Sequence, residues 1–400
     1  MKIGIIREEK IPKDTRVPLT PSQCRHLMET HPELWIAVQP CDYRCYTNDE
    51  YRWQGVPVRE DLSGCDLLLG VKEIPPKYIL PGKTYFIFSH TIKAQPHNRE
   101  MFREFIRKKS TLIDYECLKD ENGKRLIAFG RWAGIVGAYH AIRMAGLRTK
   151  AFYIRQMSEC HNFAEAQKEL AKVRMPSVKI VLSGSGRVSE GADFLLNLAG
   201  IKKVTPESFL YDRFDEAVYT QLESKHLFYR EGIGFDPEDY HRNPANYKSA
   251  FEPYTRVADI FINGIYWDKR IPVFFTIEQM RSEDFRIRQI ADITCDIAPE
   301  SSVPSTVKAS TIENPYYGFN PHTASVTEPF KDDVVDVMAI DNLPNELPRD
   351  ASEDFGNMLI NRIIPKVLVQ SNPVIQRATI IERGNLTEPY NYLKDYAGVQ

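Results

Sequence analysis

Lys72 and Glu73 stand side by side in "LLLGVKEIPP" (67–76), directly after an apolar run. "YFIFSHTIKAQ" (85–95) repeats the plan with His90 and Lys93, and "TLIDYE" (111–116) ends on Glu116. Three short strand-like segments thus deliver five ionisable groups at their C-terminal ends, where open α/β sheets gather catalytic groups. A lysine near other cations in a partly closed cleft loses proton affinity and can serve as a base near neutral pH. Neighbouring carboxylates act in the opposite sense. Glutamates this close can therefore tune the lysine and the histidine in opposite directions. Arg16 in "KDTRVPLTP" and Arg125 in "NGKRLIAFG" are candidates for holding carboxylates, because a guanidinium forks onto both oxygens.

A second constellation is "KIVLSGSGRVSEGA" (179–192), in which Gly184, Ser185 and Gly186 follow an apolar strand and open a helix at Arg187 and Val188. Glycines there let backbone approach a pyrophosphate, whose charge meets the free N–H groups of the helix N-terminus. The spacing departs from G-x-G-x-x-G: Ser189 holds the third position and Gly191 comes next. The context predicts dinucleotide binding, with Arg187 facing a phosphate or the adenosine end. The following strand, "IKKVTPESF", is expected to end at Thr205, with Glu207 two positions on. This leaves the choice between NAD and NADP open.

These groups need strands and helices to carry them. Segments 2–6, 35–40, 66–71, 85–89 and 111–116 read as short buried strands. "TPSQCRHLMET" between them reads as a helix with Thr20 as N-cap and Pro21 at the first position. A long helix rich in small residues is expected over 128–149, followed by a second βα series over 178–200, 258–267, 287–296 and 333–341. The aromatic-rich stretch 205–256 has no clear period and is expected to decorate the edge of the second domain. Strands alternating with helices predict an α/β protein of two doubly wound, Rossmann-like domains with parallel sheets and an active site in the cleft between them. The expected division is a substrate and catalytic domain over 1–138, a dinucleotide-binding domain over 139–340, and a helical return to the first domain over 341–400.

A chain of 400 residues is too long for one ordinary core. Its formal net charge of -2 gives no reason to expect nucleic acid or a membrane surface as partner. No apolar run approaches a membrane span, and "MKIGIIREEK" reads as a first strand rather than a signal peptide. The seven cysteines are scattered, which predicts reduced thiols in the cytoplasm and no metal site. Small molecules are the expected partners, and a homo-oligomer is left open.

"REEKIPKDTRVPLTP", "GVKEIPP", "FSHTIKAQ", "LIDYE" and "AFGRWAG", with "INGIYW", "STIENP" and "IDNLP", resemble the alanine dehydrogenase and transhydrogenase superfamily. Within it they are most similar to the lysine-forming saccharopine dehydrogenases and the lysine–2-oxoglutarate reductase halves of the aminoadipic semialdehyde synthases. The resemblance implies Lys72 and His90 as the acid–base pair, tuned by Glu73 and Glu116. It implies Arg16, Lys93 and Arg125 as carboxylate contacts, Gly184, Gly186 and Arg187 on the cofactor turn, and Asp296 of "ITCD" near the nicotinamide. It implies NAD or NADP as cofactor and reversible oxidative cleavage of saccharopine to lysine and 2-oxoglutarate. Two departures stand out. Thr205 takes the place of the strand-ending aspartate of NAD-using members, and Val188 and Gly264 replace a cysteine pair. Alanine dehydrogenase, or another amine dehydrogenase of this fold, is the alternative activity. A non-catalytic cofactor-binding regulator is the second alternative.

Overall fold

Thr20 caps the helix Pro21–Thr30: its hydroxyl accepts from the Gln23 N–H at 3.3 Å, and Gln23 Oε1 accepts from the Thr20 N–H at 2.9 Å. This reciprocal pair satisfies two of the donors that a helix start leaves without partners. The helix lies between the first two strands of a seven-stranded sheet. The computed structural model describes residues 1–369 and 371–398. The chain divides into two compact units, one of Met1–Phe129 with the segment from Pro348, the other of Gly130–Leu347.

Strands are numbered in chain order. In the first unit β1 (Lys2–Ile5), β2 (Trp35–Val38), β3 (Leu67–Leu69), β4 (Thr84–Ile87) and β5 (Thr111–Asp114) run parallel in the order β5-β4-β3-β1-β2. Alternate side chains feed two cores. Leu67, Leu69, Phe86 and Ile113 pack with Phe355 and Leu359 on one face, and Leu68, Tyr85, Ile87 and Leu112 pack with Phe102 and Phe105 on the other. Burial on both faces explains why these strands read as continuous apolar runs.

The second unit contributes β6 (Lys179–Ser183), β7 (Lys202–Lys203), β8 (Val218–Leu222), a short antiparallel pair β9 (Phe228–Tyr229) and β10 (Lys248–Ser249), and then β11 (Ile260–Asn263) and β12 (Gln289–Asp292). After these come β13 (Tyr317–Asn320), β14 (Ser325–Thr327) and β15 (Val335–Met338). Its eight-stranded sheet has the order β14-β13-β15-β12-β11-β6-β8-β7 and is parallel except for β13, which runs antiparallel to both of its neighbours. The last strands of the chain, β16 (Thr379–Glu382) and β17 (Asn385–Leu386), return to the first unit and extend its sheet antiparallel beyond β5. The architecture is the expected α/β class with large, mainly parallel sheets.

Two helices of the second unit cross at very short range. A Cβ on Gly134 of helix Gly130–Thr149 would lie 1.8 Å from the Val188 carbonyl oxygen, and one on Gly191 of helix Arg187–Leu198 would lie 2.0 Å from that of Arg131. The small residues of 130–149 therefore serve backbone-to-backbone packing against the helix that opens at the glycine turn.

Two expectations are corrected. The strand after that helix does not run to Thr205 beside β6. β7 covers only Lys202–Lys203 at the sheet edge, and Thr205 instead caps the helix Pro206–Tyr211, its hydroxyl accepting from the Ser208 N–H at 3.1 Å. The neighbour of β6 is β8, which lies within 205–256, so this stretch does more than decorate an edge. Its aromatic residues Phe209, Phe228, Tyr247 and Phe251 are buried in the second unit's core. No helix among the described residues is long and apolar enough to cross a membrane.

Candidate active site

The register of β3 with β4 sets the first part of the site. Leu69 pairs with Phe86, the Gly70 N–H donates to Phe86 O at 3.0 Å, and the Phe88 N–H donates to Val71 O at 3.0 Å. Pairing ends there, so Lys72–Glu73 and Ser89–His90 emerge together from adjacent strands. His90 turns into the left-handed region at φ 48, a conformation that costs a non-glycine residue energy and recurs at functional sites. Its Nδ1 lies 2.7 Å from Glu73 Oε1, and its ring stacks on Phe88 at a centroid distance of 6.4 Å. Glu73 Oε2 faces the Lys10 ammonium at 3.3 Å.

The charges of this cluster are shifted in opposite directions. Burial, then the Arg16 and Lys10 cations, lower the proton affinity of the Lys72 amine from its ordinary 10.5, and Asp14 and Glu73 only partly oppose them. Burial raises the Glu73 carboxyl, but the His90 hydrogen bond and charge, with Lys10, more than offset it and bring it to about 2. Glu73 is thus a fixed anion beside His90, and Lys72 is an amine eased towards its neutral form.

Two buried carboxylates that the sequence reading overlooked hold the backbone of these groups. Glu8, just past β1, accepts the N–H groups of Val71 at 2.6 Å and Lys72 at 2.8 Å. Burial and the Asp14 charge raise it to about 8, against the two N–H bonds and Arg16. Asp114, at the end of β5, accepts from the Ser89 N–H at 2.9 Å, from the Ser89 hydroxyl, and from the Glu116 N–H at 2.7 Å. Burial raises it to about 6. Both follow apolar strands, so the rule that selected Lys72 and His90 applied to them as well.

The other candidates differ in exposure. The Arg16 side chain is only 2% exposed; its Nε and Nη2 fork onto Asp14 at 2.9 and 2.5 Å, and its guanidinium lies 4.1 Å from the Phe129 ring centre. Arg125 is 46% exposed and pairs with Glu116 at 3.0 Å. Lys93 is exposed. Arg16 already has a buried partner, whereas Arg125 and Lys93 lie where a soluble anion can reach them.

In the second unit Gly184 adopts φ 97, and a Cβ there would lie 2.5 Å from Ser189 Oγ. Ser189 in turn ties the helix to the strands through Ser183 O at 2.8 Å and Gly264 O at 3.2 Å. Gly186 caps the helix Arg187–Leu198, and nothing lies within 4 Å of where its Cβ would stand. Ser185 and Gly186 are exposed, Arg187 and Val188 half-buried. A positive-φ glycine followed by an open helix N-terminus fits a pyrophosphate. Beneath the turn, Ser183, Asn263, Asp292, Thr294, Ser302 and Thr306 form a polar network across the ends of β6, β11 and β12. Asp292 is fully buried within it, and Asp296 lies half-buried in the loop beyond.

Gly186→Val would put two methyl groups into the space over the helix N-terminus. The dissociation constant for NAD(P)H should rise at least tenfold, about 1.4 kcal/mol. Fluorescence titration with the fold checked by circular dichroism tests this, and unaltered binding removes the turn from the cofactor site.

Residues 4–136 match the family model described as Alanine dehydrogenase/PNT, N-terminal domain. Homology extends over nearly the whole chain. Alpha-aminoadipic semialdehyde synthase of Arabidopsis thaliana is 30% identical over 441 residues, covering 98% of this chain and 41% of that protein. The chain therefore spans less than half the length of this relative. Saccharopine dehydrogenase [NAD(+), L-lysine-forming] of Candida glabrata is 28% identical over 380 residues, covering 89% of each. The solved structure of an L-alanine dehydrogenase superimposes with a TM-score of 0.64 at 16% identity, covering 99% of both chains, and shares the fold.

Proposed function

We propose that the chain is an NAD(P)-dependent saccharopine dehydrogenase of the lysine-forming type. It would convert saccharopine, NAD(P)+ and water reversibly to L-lysine, 2-oxoglutarate, NAD(P)H and a proton. The observation that carries this reading is the lowered proton affinity of Lys72 beside the His90–Glu73 hydrogen bond, at the ends of two neighbouring strands. Imine formation and hydrolysis need two titratable groups, and this site has them. The names and coverage of the homologous proteins support the same substrate class.

When bound, the dinucleotide supplies the hydride acceptor. Lys72, as the neutral amine, takes the proton from the secondary amine of saccharopine as the glutaryl carbon is oxidised. His90 then removes a proton from the water that adds to the imine and returns one to the leaving amine as the carbinolamine collapses. Glu73 stabilises the imidazolium between these steps and holds the ring through Nδ1. Saccharopine carries three carboxylates. Arg125 and Lys93 would bind them directly, with Glu116 orienting Arg125, while Arg16 contributes mainly through its charge on Lys72. Gly184, Ser185, Gly186, Arg187 and Val188 would hold the pyrophosphate end, and Asp296 would lie by the nicotinamide. All seven cysteines are free, which suits a cytoplasmic enzyme.

The test follows NADH and NADPH oxidation with lysine plus 2-oxoglutarate, then with pyruvate plus ammonia. Turnover only with the first pair is expected, and turnover only with the second would make the enzyme an alanine dehydrogenase. Arg125→Ala should raise the KM for 2-oxoglutarate more than it lowers kcat, because a carboxylate contact persists from ground state to transition state. A normal KM in this variant removes Arg125 from substrate binding.

A further inference from the structure

The strand beside the glycine strand decides which ribose a dinucleotide site accepts. In the simplest order that strand follows the glycine-turn helix directly. Here the chain makes only the two-residue β7 at the edge, passes through a short helix, and inserts β8 between β7 and β6. The register of β6 with β8 runs from Lys179↔Val218 to Ser183↔Leu222, so the next pair of positions is Gly184 and Glu223. Two bonds fix this alignment: the Gly184 N–H donates to Leu222 O at 2.7 Å, and Gln221 Nε2 donates to Gly184 O at 2.9 Å. Glu223 is therefore the first residue beyond β8, level with the first glycine of the turn. Its side chain is 51% exposed and meets the Lys225 ammonium at 3.1 Å.

We propose that Glu223 binds the adenosine ribose hydroxyls and makes the site selective for NAD(H) over NADP(H). This rests on the cofactor reading above and adds the residue that discriminates. A carboxylate level with the first glycine can accept hydrogen bonds from the vicinal 2′- and 3′-hydroxyls. A 2′-phosphate at the same place would bring like charge against it without a hydroxyl proton to donate. Lys225 would favour a phosphate, but Glu223 already pairs with it.

The experiment is fluorescence titration of the full chain with NADH and with NADPH, independent of turnover. The parent protein should bind NADH at least tenfold more tightly. Glu223→Ser should weaken NADH binding about tenfold and strengthen NADPH binding, while the isosteric Glu223→Gln should chiefly gain NADPH affinity because it loses the repelling charge. Circular dichroism verifies the fold of both, and two variants at a half-exposed position guard against loss of one. Equal or tighter binding of NADPH by the parent overturns the proposal, as does an unchanged preference in both folded variants. NADH preference without turnover of lysine and 2-oxoglutarate would sustain Glu223 while refuting the substrate reading. Binding of neither dinucleotide would refute the inference and the cofactor reading together.

Discussion

Lys72→Met should lower kcat by roughly 10²–10⁴-fold, the usual contribution of a placed acid or base. Methionine keeps an unbranched chain of similar length and removes the titratable amine. His90→Gln retains hydrogen bonding towards Glu73 but cannot shuttle a proton, and should lose activity over the same range. Affinity for the dinucleotide should barely move in either. The double variant should lose less than the product of the two single losses, because both groups serve one chemical sequence. The pH profile gives an independent signature. In the oxidative direction Lys72 must be neutral, so kcat/KM should rise as pH climbs through its ionisation. Burial, Arg16 and Lys10 lower that ionisation below the ordinary 10.5, so the rise comes at lower pH than for a solvated lysine. In Lys72→Met this limb should vanish. A Lys72→Met enzyme with near-normal kcat and the parent profile would sink the mechanism.

Gly134→Ala should destabilise the second unit by about 1–3 kcal/mol, the range for overpacked sites. Alanine ordinarily stabilises a helix by about 1 kcal/mol over glycine, so the expected sign is opposite to that of propensity. The reason is the 1.8 Å from the added Cβ to the Val188 carbonyl oxygen, which forces two helices apart. Because Val188 opens the glycine-turn helix, cofactor affinity should fall along with stability. Equilibrium denaturation of parent and variant settles the sign, and an equally stable or more stable Gly134→Ala would show that the crossing has slack.

Much of this was legible in the amino-acid order because the strands are buried on both faces. "DLLLGV" and "YFIFS" are continuous apolar runs for that reason, and the charged residues at their ends were conspicuous against them. Thr20 with Pro21 announced its helix through a start signal that depends on local spacing alone. The contact between Glu73 and His90 was not local. It follows from the β3–β4 register, which no single segment encodes. Glu8 and Asp114 escaped notice because their partners are backbone N–H groups, and every sequence position offers one. β8 was hidden for a different reason. "VYTQL" mixes Thr220 and Gln221 with its apolar residues and lies in a stretch whose aromatic residues follow no helix or strand period. Without β8 in view, the strand end beside the glycine turn falls at Thr205 instead of Glu223.

The first unit is built from both ends of the chain, and this bears on how the protein is made. The second unit, Gly130–Leu347, is contiguous and has every strand of its sheet available once Leu347 has left the ribosome. The first unit must wait. Until the segment beyond Pro348 is synthesised, β5 presents an unpaired edge, later covered by β16, and Phe88, Tyr115 and Phe129 lack the Phe355 ring that packs against them. An open edge beside unburied aromatic rings invites association between nascent chains. His90 stacks on Phe88, whose neighbour Phe355 arrives only with the C-terminal segment, so the setting of the His90–Glu73 contact is among the last parts of the molecule to be completed.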